Sequence, residues 1–135
     1  MNRKVSVAPM MDCTDRHERF FLRLISKNTL LYTEMIVDEA INRGNKKKLL
    51  EFNISEKPVA LQLGGSSPNL LAEAAKIGED FGYDEINLNL GCPSKKVEKN
   101  KFGACLMKEP NLVADCLNKM QTKTKLPVTI KTRIG

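Results

Sequence analysis

Cys92 ends the alternating segment Glu85-Ile86-Asn87-Leu88-Asn89-Leu90-Gly91-Cys92-Pro93-Ser94. A Gly-Cys-Pro turn after a strand holds a thiol at the strand's carboxyl end. In parallel α/β folds that edge is where ligands bind and catalytic residues gather. A thiol there can act as nucleophile, as general acid, or as packing. A nucleophile wants a neighbouring base. The only histidine, His17, falls on the first predicted helix, away from that turn. An ordinary thiol, with a pKa of about 8.5, is mostly protonated at neutral pH. It can therefore give a proton to a carbanion that forms during a reaction, and general acid is the role the residues favour.

Other polar residues recur at the same edge. Thr129, Lys131 and Arg133 alternate on the last predicted strand, so their side chains share a direction. A lysine inside an apolar barrel needs an anion, such as a reduced flavin ring or a phosphate, unless its ammonium reaches solvent. Gln62 both donates and accepts, which suits reading the edge of a heterocycle; at a strand terminus it can equally be plain surface. Asn87 and Asn89 share one face and can orient a base or a loop. Pro9, Met10 and Met11 follow the first strand, where a thioether can cover a planar ring or simply pack. Lys95, Lys96, Lys99 and Lys101 crowd the loop after Cys92 and could hold phosphates; Lys46, Lys47 and Lys48 form a second cluster that solvated surface explains equally well.

The elements that must position these residues read as strands alternating with helices. Strands are expected at Val5–Ala8, Leu30–Met35, Val59–Leu63, Ile86–Leu90 and Val128–Lys131. Asp15 and Glu18 make a capping pattern ahead of a helix with Phe20, Phe21, Leu24 and Ile25 along one face. Ser67-Pro68 starts another, with Leu70, Leu71, Ala74, Ile77 and Phe81 on its buried side and Gly82 as its stop. A third begins near Pro110 and carries Leu112, Val113, Cys116, Leu117 and Met120. A short helix is expected over Lys48–Phe52.

Strands in this alternation pair in parallel through right-handed crossovers. Spacings of about 25 to 30 residues match the unit of a (β/α)8 barrel. The expected fold class is α/β: residues 1–135 as the N-terminal five βα units of a TIM (β/α)8 barrel, incomplete in this chain. The main alternative is a complete five-stranded doubly wound domain. The receiver-type version of that fold wants an aspartate at the end of its third strand, where this chain has Gln62-Leu63-Gly64. The close of the sequence at Arg133-Ile134-Gly135, just after a strand, reads as an interruption that would leave sheet edges open to association.

With 135 residues and 41% hydrophobic content, one domain with a real core is accessible. No apolar run approaches the roughly 20 residues of a membrane span, and no signal-peptide pattern follows the basic start, so a cytoplasmic protein is expected. Four cysteines without C-x-x-C spacing and a single histidine argue against a metal site and a disulfide framework. Cys116 lies on an apolar helical stripe and reads as core. The net charge of +6 is compatible with a polyanionic partner.

Six segments in order resemble the tRNA-dihydrouridine synthase family, most closely its bacterial A subfamily. They are Val7-Ala8-Pro9-Met10-Met11-Asp12 with Thr14-Asp15-Arg16-His17; Leu31-Tyr32-Thr33-Glu34-Met35; Pro58 to Gly65; Ile86 to Ser94; Phe102-Gly103-Ala104-Cys105-Leu106-Met107; and Ile130-Lys131-Thr132-Arg133-Ile134-Gly135. The resemblance implies an oxidoreductase in which NADPH reduces FMN and the flavin passes hydride to C6 of a uridine in the D loop of tRNA, at positions 20 and 20a. It implies Cys92 as proton donor to C5. Pro9, Met10, Met11, Gln62 and Lys131 are implied flavin contacts, and Asn89 a contact to the uridine; Arg133 is a candidate for either ligand, and Lys95 and Lys96, from their place after Cys92, are candidate substrate contacts. The family's later strands and helical tRNA-binding domain are not in this sequence, so this stretch alone is expected to bind FMN poorly and to be inactive. Two rivals stand beside this: a dihydroorotate-dehydrogenase-like flavoenzyme on a free pyrimidine, and a non-catalytic basic RNA-binding remnant.

Overall fold

The computed structural model describes residues 4–134. Its centre is a parallel sheet built on β3 (Val59–Gly64) and β4 (Glu85–Asn89), both buried along their whole length. Strands covered on both faces need apolar side chains toward the helices and satisfied polar ones elsewhere. Leu61, Leu63, Ile86 and Leu88 are fully buried in the apolar core. Gln62, Asn87 and Asn89, at the alternate positions, are buried too, and hydrogen-bonded to one another.

The remaining strands are β1 (Leu31–Tyr32), β2 (Ile36–Val37) and β5 (Val128–Lys131). β1 and β2 both pair with β3, β3 with β4, and β4 with β5, all parallel. The order follows the chain with no reversal. A doubly wound domain reverses at its switch point; the winding here is that of the first part of a (β/α)8 barrel. The architecture is α/β, as the alternation of patterns predicts.

Four expected strands differ in detail, β3 only by running one residue further, to Gly64. Val5–Ala8 is not a strand: only Ser6 bridges to Leu30, and the Val7 N–H donates to the Leu30 carbonyl. The expected Leu30–Met35 strand breaks after Tyr32. From Tyr32 to Ile36 the chain advances four residues while its partner advances three, from Ala60 to Leu63, which is a bulge. At the break the Gln62 N–H donates to Thr33 Oγ1 at 3.0 Å, a side chain standing in for a ladder carbonyl. The last strand of the central pair runs Glu85–Asn89, one residue earlier than expected.

Helix α1 (Arg16–Ile25) starts where Asp15 accepts the N–H groups of His17 and Glu18. The apolar residues share one face, as the spacing predicts, and among the described residues that face is the open one. Phe20, Phe21, Leu24 and Ile25 are 48–71% exposed, while Arg19 and Arg23 are buried. Arg19 Nε donates to Glu56 Oε2 at 2.7 Å, and Arg23 donates to the carbonyls of Ser26, Glu56 and Pro58. Two guanidiniums with this many acceptors bind the helix more specifically than an apolar stripe would.

Helix α2 (Asp38–Arg43) was not evident in the pattern, and α3 forms at Lys46–Leu50 rather than Lys48–Phe52, because Asn45 caps it by accepting the Lys48 N–H. α4 (Pro68–Phe81) and α6 (Pro110–Lys123) form as expected and pack side by side on the sheet. On α4 the buried stripe is Leu71, Ala72, Ala74, Ala75 and Gly78; Leu70, Ile77 and Phe81 are only half-buried. Small residues win because α4 lies close to the strands: a methyl on Gly78 would stand 2.7 Å from Leu61 and 2.8 Å from Ile86. Helix α5 (Lys95–Lys99) and a 3-10 turn at Gly103–Lys108 lie between β4 and α6. No described helix is long and apolar enough to cross a membrane.

Candidate active site

Cys92 lies just beyond β4, where Asn89 ends the strand. Asn89 Oδ1 accepts two backbone N–H groups, from Gly91 at 3.1 Å and Cys92 at 3.0 Å. The turn is thus tied to the strand's own last side chain. Its other face is tied to β5: Leu90 N–H donates to the Lys131 carbonyl, and Arg133 Nε donates to the Gly91 carbonyl at 2.7 Å. The Cys92 carbonyl accepts the Ala104 N–H, which brings the 3-10 turn beneath the thiol residue. Gly103 makes that approach possible with φ of +74°, in the left-handed region.

The Cys92 side chain is half-buried and lines a half-open cavity of about 980 Å³. Pro9, Met11, Gln62, Asn89, Lys131 and Arg133 line the same cavity, as does Lys96. Seven of the nine candidate flavin and substrate contacts therefore meet with the thiol in one place. Two do not. Met10 stands outside the cavity, its carbonyl accepting from Cys13 and Thr14, and Lys95 lies off the lining at the exposed start of α5. Lys131 sits beside Asn89 in the β4–β5 register and is exposed, so it reaches water rather than requiring a buried counter-ion.

Behind the cavity runs a continuous line of hydrogen bonds. Asn89 Nδ2 donates to Gln62 Oε1 at 2.9 Å, and Gln62 Nε2 donates to Asn87 Oδ1 at 2.8 Å. Asn87 Nδ2 donates to Thr129 Oγ1 at 2.8 Å, and Thr129 donates to Glu85 Oε1. The Tyr32 hydroxyl also donates to Glu85 Oε1, at 3.0 Å. The sheet register makes this line: Gln62, Asn87 and Thr129 are neighbours on three adjacent strands. Glu85 was the member not recognised in the sequence. Its signal was the period of two in Glu85, Asn87 and Asn89, which puts all three on one face of β4.

Asp38 was also not foreseen. It lines the cavity, is 3% exposed, and lies against Gly65. Burial raises its carboxyl above the usual 3.8, partly offset by the Glu39 N–H it accepts. Cys116 is core, as read, and burial pushes its thiol up to about 11. His17 lines a separate cavity with Asp15 and Arg19, away from Cys92. Among the described residues no group of three or more His, Cys, Asp or Glu could hold a metal ion.

Lys131, Met11 and Pro9 line this cavity together, a cation beside a thioether and a proline ring. The ammonium of Lys131 has no ion pair among the described residues, and Met11 presents an exposed thioether. Gln62, 1% exposed, has one amide hydrogen and one lone pair beyond those it uses.

A family model described as dihydrouridine synthase matches residues 6–135. A tRNA-dihydrouridine(20/20a) synthase of Synechocystis sp. is 62% identical over 131 residues, covering 97% of this chain and 39% of the relative. Proteins with the same description from Vibrio parahaemolyticus and Escherichia coli K12 are 58% and 59% identical over 132 residues, covering 98% of this chain and 40% and 38% of theirs. The chain spans about 40% of the length of the curated relatives it matches.

Proposed function

The chain belongs to the dihydrouridine synthase family, and from that premise we propose that the intact protein reduces uridine to 5,6-dihydrouridine in tRNA. The relatives' description points to positions 20 and 20a of the D loop. Residues 1–135 are then the N-terminal portion of the catalytic barrel, working in the cytoplasm. The observation that supports this reading most is one cavity lined by a half-buried thiol, two amides and an exposed lysine at the ends of parallel strands.

Lys131, Gln62, Pro9 and Met11 would hold the flavin, FMN, with Met10 outside the cavity lining. FMN held there, once reduced by NADPH, would supply the hydride that C6 of the uracil takes up. The C5–C6 bond is conjugated to the C4 carbonyl, so addition at C6 leaves an enolate across O4, C4 and C5. Cys92 gives the proton from Sγ to C5, and the thiolate left behind regains one from solvent through the half-open cavity. Asn89 orients the ring and holds the turn that carries the thiol. Arg133 and Lys96, on the rim, take phosphate, and Lys95 extends that charge outward. The uridine must leave the base stack to reach Cys92, and a basic rim lowers that cost.

The test is the intact protein with unmodified tRNA, with orotate as the competing substrate. Dihydrouridine should form on tRNA alone, and Cys92→Ala should cut kcat by about a hundredfold or more with tRNA affinity retained. Turnover of orotate alone, or unchanged activity without the thiol, overturns the reading.

A further inference from the structure

The line of side chains behind the cavity has a direction, and its two ends dictate it. At one end stand the backbone N–H groups of Gly91 and Cys92, which only donate. At the other stands the Glu85 carboxylate, which only accepts. Between them lie Asn89, Gln62, Asn87 and Thr129, each able to face either way. Thr129 has a single proton. If it goes to Glu85, Thr129 must accept from Asn87. Asn87 then turns its carbonyl to Gln62, and Gln62 turns its carbonyl to Asn89. The Asn89 carbonyl is left facing the Cys92 turn. The opposite orientation would aim an amide NH2 at two backbone N–H groups. Only one arrangement satisfies both ends, and every member is buried or partly buried, where an unmatched donor is costly.

We infer that Glu85 is a positioning residue for the site: acting through Thr129, Asn87 and Gln62, its carboxylate reinforces from the far end the amide orientation that the Gly91 and Cys92 N–H groups require, and so braces the Cys92 turn. Glu85 lies at the opposite end of β4 from the thiol and does not line the cavity. The catalytic consequence rests on the function proposed above; the amide orientation does not.

Two variants of the intact protein separate accepting from space-filling. Glu85→Gln keeps a carbonyl that can accept from Thr129, and Glu85→Met keeps the volume and loses the acceptor. Side-chain amide exchange in protein labelled with 15N at Asn and Gln reports the line itself. The alkylation rate of Cys92 with iodoacetamide, resolved by peptide mass, reports the turn. In Glu85→Met, exchange at the Asn87, Gln62 and Asn89 amides and alkylation at Cys92 should each rise about fivefold or more, the factor for one lost net hydrogen bond. In Glu85→Gln both should stay near the parent's values. On tRNA, Glu85→Met should lose kcat and Glu85→Gln should restore it. Protected amides and unchanged alkylation in a folded Glu85→Met protein overturn the inference, as does equal loss in both variants. If the parent forms no dihydrouridine, the exchange and alkylation results still decide this point.

Discussion

Asn89 Oδ1 lies 3.0 Å from the backbone nitrogen of Cys92, so the residue read as a substrate contact is also the clamp on the thiol's turn. Its removal should therefore cost more than a substrate contact. Asn89→Ala leaves the Gly91 and Cys92 N–H groups without their acceptor, at about 1–3 kcal/mol. Asn89→Asp keeps that acceptor, loses the donor to Gln62 and sets a carboxylate oxygen against Gln62 Oε1, which two accepted N–H groups partly offset. The expected order of Tm is parent, then Asn89→Asp, then Asn89→Ala. Equal Tm for Asn89→Ala and the parent would leave the turn held by something else.

Arg19 and Glu56 form an ion pair 7% and 2% exposed, and through it α1 is held to the loop before β3. Glu56→Ala strands a buried guanidinium and should cost about 3–5 kcal/mol, whereas Arg19→Met with Glu56→Met should recover most of it. Chemical denaturation of the single and double variants measures the difference. A single variant as stable as the parent would show the pair to be dispensable.

Asp38 should be a stability cost at neutral pH. Its carboxyl is raised in the folded protein, by burial first, so the unfolded chain ionises at a lower pH than the folded one. Stability is therefore lost as pH climbs from about 3.8 through the folded value, and that loss is complete above it. Asp38→Asn, which keeps an acceptor for the Glu39 N–H, should raise Tm at pH 7 and lose its advantage as pH falls toward 3.8. A lower Tm at pH 7 would mean that the charge at the start of α2 is worth more than its burial costs.

The cysteines should separate by reactivity. Burial holds the Cys116 thiol up at about 11, whereas Cys13 is exposed and Cys92 half-buried. At pH 8 only about a thousandth of Cys116 is thiolate. Peptide-resolved alkylation of the native protein should mark Cys13 and Cys92 and spare Cys116 until denaturant is added. Early labelling of Cys116 would place it outside the core.

The sheet was legible because β3 is a short apolar run and β4 and β5 alternate, and the thiol's place followed from the strand that precedes it. What was not legible depends on relations across the fold. The split of the expected Leu30–Met35 strand arises from Thr33 answering the Gln62 N–H, a partner 29 positions away. The burial of Arg19 and Arg23 depends on carbonyls and a carboxylate in the loop before β3, which helical periodicity does not reveal. Lys131 shares a strand face with Thr129, and its exposure goes with β5 pairing with β4 alone among the described strands, which periodicity does not show. Glu85 was visible in period, but its link to Asn89 runs through Gln62 and Thr129 on two other strands, which only the register supplies.

Gly103 is where the loop after Cys92 is most tightly constrained. Its φ of +74° strains any side chain, and a methyl there would stand 2.7 Å from the Cys92 carbonyl. Backbone cannot yield as a flexible side chain can. Gly103→Ala should therefore push the 3-10 turn away from Cys92 and break the Ala104 N–H bond to the Cys92 carbonyl. A penalty of about 1–3 kcal/mol is expected from the backbone strain alone. Because the displaced contact belongs to the thiol's own residue, kcat on tRNA should fall further than stability predicts, while Gly82→Ala, with φ of +91° and open space around it, should cost stability only. Thermal melts and single-turnover rates on the two variants make the comparison, and a parallel fall in both would detach the 3-10 turn from the chemistry.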